Sequence, residues 1–202
     1  MLLVIAGCNG SGKSSFSDFL TPKNLVPFDY DKYFLKNYNS LMDSELRDRM
    51  AHNITREFLD NSVQHAISKR KDFCYETNFN STPMFWPNKF EQAGYELKML
   101  FFCLNSLEEA KRRVMIRVEN GGHYVPEKEI ENRYYLGYKN LDTHFHRFKG
   151  LHLLNSSFYN QPPKHILSLK NSKVAARNKF PKFLKPLIPN IHKILSNLGF
   201  IV

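Results

Sequence analysis

Residues Gly7-Cys8-Asn9-Gly10-Ser11-Gly12-Lys13-Ser14 carry the spacing Gly-x-x-x-x-Gly-Lys-Ser, directly behind the unbroken apolar run Leu2-Leu3-Val4-Ile5-Ala6. An apolar run without polar alternation is a strand covered on both faces, as in a parallel sheet. A glycine-rich turn at its carboxyl end lets backbone N–H groups converge on an anion, and the helix predicted from Lys13 adds its positive N-terminal end. The pattern therefore predicts a phosphate-binding loop. Gly7, Asn9, Gly10, Ser11, Gly12, Lys13, Ser14 and Ser15 would surround the phosphates of ATP, with GTP also admissible. Lys13 would reach the β- and γ-phosphates, and Ser14 would ligate Mg²⁺.

The remaining pattern repeats strand and helix. Leu25 to Phe28 reads as a short strand ending at Asp29, and Phe73 to Tyr75 as another ending at Glu76. Between them, from about Asp43 to Lys69, Met50, Ile54, Phe58, Val63 and Ile67 recur at helical spacing. Residues 82 to 93 predict a short helix behind Pro83, and Glu96 to Leu104 is the strongest central-strand pattern. A helix over Leu107 to Glu119 stops at Gly121-Gly122. The next opens with Pro126, Glu127 and Glu129 and runs to about Phe148. Leu151 to Leu154 completes a five-stranded parallel α/β sheet with helices on both faces, its ligands expected at the carboxyl ends of the strands. This gives a domain over 1–158, with a helical hairpin over about 107–148. The basic appendage at 159–202 is interrupted by Pro162, Pro163, Pro181, Pro186 and Pro189 and ends in a short helix near 190–198.

At 202 residues one core is expected. No apolar run approaches the roughly 18 residues of a membrane span, and Met1 to Ala6 lacks a basic signal region, so a cytoplasmic protein without a membrane partner is expected. Three cysteines, Cys8, Cys74 and Cys103, form no CxxC pair, which suits a reducing compartment. Cys8, near a helix N-terminus, is a candidate for redox control as well as a merely small residue. His144 and His146 point to different helix faces, so the sequence supports no metal cluster. The net charge of +10 comes from the C-terminal part: residues 143 to 202 hold ten Lys and Arg and no Asp or Glu. A solvated basic surface is the plain expectation, with nucleic acid, anionic lipid or an acidic partner as alternatives.

The most apolar strand ends in Asn105 rather than an acid, a poor match to a motor or ABC-type ATPase. The strand-end acids are Asp29 and Glu76, both predicted beside the phosphate loop, where a small-molecule kinase holds the attacking hydroxyl. Either could serve the acceptor, with Asp29 as proton acceptor or as helix N-cap, Asp31 competing for both roles, and Glu76 as a substrate-side group or as a structural carboxylate hydrogen-bonding the loop. Arg113 and Arg117 share a helix face before Gly121-Gly122, and Arg133 lies about two turns into the next helix. A hairpin closing over ATP would bring all three to the transferring phosphoryl group and exclude water, the alternative being helix-surface arginines paired with Glu109, Glu119 or Glu129.

Taken together, the phosphate loop, Tyr75-Glu76-Thr77-Asn78, and the run Arg113-Val114 through Arg117-Val118, Gly121-Gly122-His123, Val125-Pro126-Glu127 and Ile130 to Arg133-Tyr134 resemble the zeta-toxin-like P-loop kinases. The branch resembled is often labelled predicted ABC-type ATPase. The likeness covers about residues 1 to 157. It implies a nucleoside-kinase-like fold, Mg²⁺ and ATP, phosphorylation of UDP-N-acetylglucosamine on its sugar, and an antitoxin partner. By this resemblance Asp29 is the catalytic aspartate, Glu76 and Thr77 the substrate-side pair, and Arg117 and Arg133 the phosphate-stabilising arginines. Asn155-Ser156 resembles the family's late Asn-Ser pair.

The chain departs from the family at Pro27-Phe28, where Asn-x-Asp is common, so Asp29 and Asp31 both stay candidates. Thr77-Asn78-Phe79 replaces Thr-Thr-Leu, and Tyr135-Leu136-Gly137-Tyr138 lacks an expected serine. These changes fall on the acceptor side. Alternative functions are a kinase of nucleosides or polynucleotide ends, and a nucleotide-switched protein holding nucleic acid on its basic C-terminus, although no nucleic-acid motif is present.

Overall fold

The computed structural model describes residues 1–122 and 124–197. His123, and residue 198 at the end of the expected C-terminal helix, lie outside them. In chain order the elements are β1 (Leu2–Ala6), α1 (Lys13–Leu20), α2 (Tyr30–Ser40), α3 (Arg47–Ser68), β2 (Phe73–Thr77), α4 (Phe85–Gln92), β3 (Leu97–Cys103), α5 (Leu107–Glu119), α6 (Glu127–His144), β4 (Gly150–Asn155), β5 (Lys164–Lys170), β6 (Lys173–Arg177) and α7 (Pro189–Asn197). The strands form one mixed sheet in the order β2-β1-β3-β4-β5-β6. The first four are parallel, and β5 and β6 are antiparallel additions.

Alternation along the strands gives the sheet two unequal faces. Leu2, Val4, Met99, Phe101, Leu151 and Leu153 point into the main core. Leu59 and Val63 of α3, Phe90 of α4, Val114 of α5, Tyr138 and Leu141 of α6, and Ile191 and Leu195 of α7 cover them there. Leu3, Ile5, Cys74, Phe102 and Leu154 point the other way into a small cluster closed by Leu25 and by Phe16 of α1.

Four sequence expectations change. The strand over Leu25 to Phe28 shrinks to a single parallel bridge between Phe28 and Tyr75, because Pro27 brings no N–H to a ladder. Helix α2 was not expected, since its buried side is reduced to Phe34. Helix α3 forms, but it buries Ala51, Thr55, Leu59, Val63 and Ala66 and leaves Met50, Ile54 and Phe58 exposed. The small residues Ala51 and Thr55 let α3 lie close against α2, where Asn37 donates to Thr55 Oγ1 at 2.9 Å. Finally, the sheet has six strands and is mixed, not five and parallel. The segment after 158 contributes β5 and β6, and Phe180, Leu184, Ile188, Ile191 and Leu195 join the main core. Its prolines fall outside the two strands, in the connections and at the start of α7.

Candidate active site

The loop between β1 and α1 turns through Gly10 at φ 75° and Gly12 at φ 83°. At Gly10 the requirement is double: a left-handed backbone, and a Cβ that would stand 2.9 Å from the Ala110 carbonyl oxygen. The loop is thus seated against α5. Lys13 Nζ donates to the carbonyls of Gly7 (2.8 Å) and Cys8 (3.1 Å) and to Asn78 Oδ1 (3.2 Å). Burial lowers the ammonium's pKa, opposed by the charges of Glu76, Cys8, Asp31 and Asp29.

Glu76 leaves the carboxyl end of β2, which pairs with β1 so that Glu76 stands opposite Ile5. Its two oxygens accept the hydroxyls of Ser14 (2.6 Å) and Ser17 (2.8 Å). Burial pushes its pKa up, against the pull of Lys13 and of the two serine hydroxyls. Glu76 therefore sits on the Ser14 side of the site. Ser17 escaped the sequence reading; its signal was the i+3 spacing from Ser14, which puts both on one face of α1. Among the described residues no group of three or more His, Cys, Asp or Glu could hold a metal ion. Ser14 Oγ with the Glu76 carboxylate is nevertheless a hard oxygen pair of the kind Mg²⁺ takes in addition to phosphate oxygens and water.

Asp29 caps α2, accepting from Lys32 N at 3.2 Å, and Asp31 lies in the first turn of that helix. Both line a cavity of about 1270 Å³ that also takes in the phosphate loop, Glu76, Thr77, Arg113, Arg117 and Arg133. The cavity's second half is walled by α2 and α3 through Tyr30, Phe34, Asp48, His52, Arg56 and Asp60, and by Phe85 and Trp86 of α4. The sequence reading missed this wall, since no motif marks it. Thr77 Oγ1 accepts from Phe79 N at 3.0 Å, which shapes the turn after β2.

The hairpin α5–α6 covers the loop. Arg113 donates through Nη1 to the carbonyls of Ser156 (2.8 Å) and Gly10 (3.3 Å) and through Nε to Glu109 (2.6 Å). Its Nη2 is buried without a hydrogen-bond partner. Arg133 Nη1 donates to Asn9 Oδ1 at 3.2 Å, while its Nη2 pairs with Glu129. Lys111 and Glu127 join the two helices at 2.7 Å, and Gly121, at φ 81°, turns the chain between them. Tyr138 ties α6 to the end of β3, its hydroxyl accepting from Leu104 N (2.8 Å) and donating to Leu104 O (2.9 Å). The redox role considered for Cys8 finds no support in its surroundings. The side chain is buried and burial pushes the thiol up to about 11, so it holds little reactive thiolate at neutral pH.

A phosphate loop at the end of a central parallel strand, beneath an arginine-bearing helical hairpin, defines a P-loop phosphotransferase. The model of the Zeta toxin family matches residues 1–156, and the chain belongs to that family of P-loop kinases. No curated protein sequence gives a significant match.

Among solved structures the chain is similar to one of the PezAT chromosomal toxin–antitoxin system of the human pathogen Streptococcus pneumoniae. The TM-score is 0.56 at 13% identity, over 98% of this chain and 87% of that one. It is also similar to a chain of AvrRxo1-ORF1:-ORF2 with ATP, with a TM-score of 0.63 at 10% identity over 87% and 60% of the two chains. A third is in the Pnkp1/Rnl/Hen1 RNA repair complex, with a TM-score of 0.52 at 21% identity over 70% and 45%. The protein thus spans 60% and 45% of the latter two chains, and the likeness to all three is one of fold.

Proposed function

We propose that this kinase transfers the γ-phosphate of ATP to a hydroxyl of a UDP-sugar such as UDP-N-acetylglucosamine. The observation that carries the reading is one cavity that brings Lys13, Ser14 and Glu76 together with Asp29 and Asp31. Its volume of about 1270 Å³ exceeds the roughly 300–1,000 Å³ of a site for one small ligand, as a donor and an acceptor side by side require.

In this reading Gly7 to Ser15 cradle the triphosphate, and Lys13, Arg117 and Arg133 neutralise the charge that spreads over the transferring group. Asp29, its orientation fixed by the cap to Lys32, accepts the proton of the attacking hydroxyl, while Asp31 and Thr77 hold the acceptor. Arg113, braced on Gly10 and Ser156, holds the loop and adds its positive charge to the nucleotide side of the site. Ser14 and Glu76 would hold Mg²⁺, which would supply positive charge to offset that of the phosphates. The α5–α6 hairpin keeps water from the phosphoryl group.

Two features of the acceptor half support a UDP-sugar. Arg56 lines it without an ion pair among the described residues, a counter-charge available for a diphosphate. Trp86 and Phe85 supply ring faces for a sugar or base. The buried, unpaired Cys8, Cys74 and Cys103 accord with a cytoplasmic setting, and an antitoxin is the expected protein partner by kinship with the toxin–antitoxin chain above. None of the described helices is long and apolar enough to cross a membrane.

The test is incubation with γ-labelled ATP, Mg²⁺ and a panel of UDP-sugars, nucleosides and oligonucleotide 5′ ends. Label on the sugar of UDP-N-acetylglucosamine, lost in Lys13→Ala and Asp29→Asn, is the expected result. Label on nucleosides or oligonucleotides alone would move the acceptor to another class. No labelled acceptor from the panel or from a metabolite extract would end the kinase reading.

A further inference from the structure

On the face of the sheet that carries α1, cover stops at Phe102 and Leu154. Beyond them, among the described residues, no helix lies over β3 to β6. His152, in the middle of β4 with a paired strand on either side, is accordingly exposed. The strand register arranges what this open face displays. One row runs Lys98, Gly150, Lys170, Lys173 across the four strands, and the next runs Leu100, His152, Ser168, Ala176. Lys98 passes over the bare Cα of Gly150, where a Cβ would meet its Cγ at 3.6 Å, and so reaches toward β5. Lys170 and Lys173 flank the two-residue turn Asn171-Ser172, both at positive φ, and are exposed. In the second row His152 Nδ1 and His165 Nε2 both lie 2.7 Å from Ser168 Oγ. No acidic residue occurs in β3, β4, β5 or β6.

We infer that this face binds the phosphate backbone of a nucleic acid, independently of sequence and away from the catalytic cavity. With strands about 4.8 Å apart, the lysine row spans about 14 Å, a length over which a nucleic-acid strand carries several phosphates. Three features separate this occupant from others. A second copy laid on the same face would set lysine row against lysine row. A protein partner or a lipid surface draws on apolar anchors, and none of the exposed large apolar side chains belongs to β3–β6. Base stacking draws chiefly on Phe, Tyr and Trp platforms, and these strands expose none of them on this face, where the exposed ring is the small imidazole of His152, so contact is chiefly to phosphate. Lys98 stands near the start of β3, at the opposite end of the parallel strands from the phosphate loop, so the two sites are spatially distinct.

The experiment is fluorescence anisotropy of a labelled mixed-sequence single strand of about 20 nucleotides, titrated with the full chain over a salt series. For three lysines on a single strand, the slope of log affinity against log salt should approach about −2. A variant carrying Lys98→Glu, Lys170→Glu and Lys173→Glu should lose at least about tenfold in affinity and most of that slope, with phosphoryl transfer unchanged. The matching Lys→Gln triple variant, read alongside, should show a smaller loss in the same direction. Failure of the wild type to bind would overturn the inference, as would equal binding of polyglutamate. So would an equal loss when Lys179, Lys182 and Lys185 are reversed instead. Because binding is read without ATP, its failure leaves the kinase reading untouched, and loss of kinase activity leaves this one untouched.

Discussion

Glu76 accepts the hydroxyl of Ser14 at 2.6 Å, so the acid near the end of β2 and the serine in the first turn of α1 act as one unit at the loop. Glu76→Gln keeps the hydrogen-bonding shape and removes the charge. We expect kcat/KM to fall by roughly 10–100-fold with a higher Mg²⁺ requirement, the usual range for the loss of a group supporting a metal ligand. A magnesium titration of the initial rate checks it. An unchanged magnesium dependence would return Glu76 to a purely acceptor-side role.

The same residue sets a pH dependence of stability. Its folded-state pKa is raised above the unfolded value of about 4.3. Its contribution is therefore fully present below that value and is lost as pH rises through the folded pKa. Melting curves of wild type and Glu76→Gln should thus diverge in the variant's favour between mildly acidic and neutral pH. The opposite trend would show that the serine hydroxyls and Lys13 outweigh burial.

Lys13 carries the reverse sign. Burial depresses its pKa, so its contribution to stability is present above the unfolded value of about 10.4 and is lost as pH falls through the folded one. Lys13→Met should reduce phosphoryl transfer by roughly 10²-fold or more. Its Tm at neutral pH should be no lower than that of the wild type, and the wild type should gain on it as the solution is made alkaline. Differential scanning fluorimetry at several pH values, set beside the transfer assay, reads both effects.

Asp29 and Asp31 are separated by paired variants. Asn is as good an N-cap as Asp, so Asp29→Asn should keep its Tm close to wild type while kcat drops by roughly 10²–10⁴. Asp31→Asn should act mainly on KM for the acceptor. If the two phenotypes are exchanged, Asp31 is the base.

Tyr138 makes both of its hydrogen bonds to the main chain of Leu104, inside the core. Tyr138→Phe leaves that buried N–H without its acceptor, while the carbonyl keeps the Tyr134 hydroxyl at 3.1 Å, a loss of about 1–3 kcal/mol. Chemical denaturation should show a shifted midpoint. The transfer rate at saturating substrates should change much less than it does in Asp29→Asn.

The sequence was most readable where one signal dominated. The run from Leu2 to Ser14 gave strand, loop and helix, because burial on both faces and glycine spacing leave few other solutions. The α5–α6 hairpin was equally plain, marked by its glycines and by Pro126.

Legibility failed where tertiary contact decides. In α3 the large apolar residues Met50, Ile54 and Phe58 suggested the buried face, yet close packing on α2 favoured Ala51 and Thr55. Strands β5 and β6 were hidden because Lys164, Lys170, Lys173 and Arg177 dilute their apolar pattern, and their pairing is to partners elsewhere in the chain. At the site, the loop and the arginines could be named from motif and spacing. The contact of Glu76 with Ser17, and the cavity wall from α2 and α3, depend on how distant segments meet.

The ends of the sheet have a further consequence. Outer strands expose unpaired backbone groups and invite other chains to add to them. Here β2 is flanked by the single bridge from Phe28 behind Pro27, and β6 ends the opposite margin with Lys173 and Arg177. The basic C-terminal segment thus completes the sheet and guards its margin with charge. Cutting the chain after residue 158 would bare the full length of β4, turning a closed kinase fold into a template for aggregation.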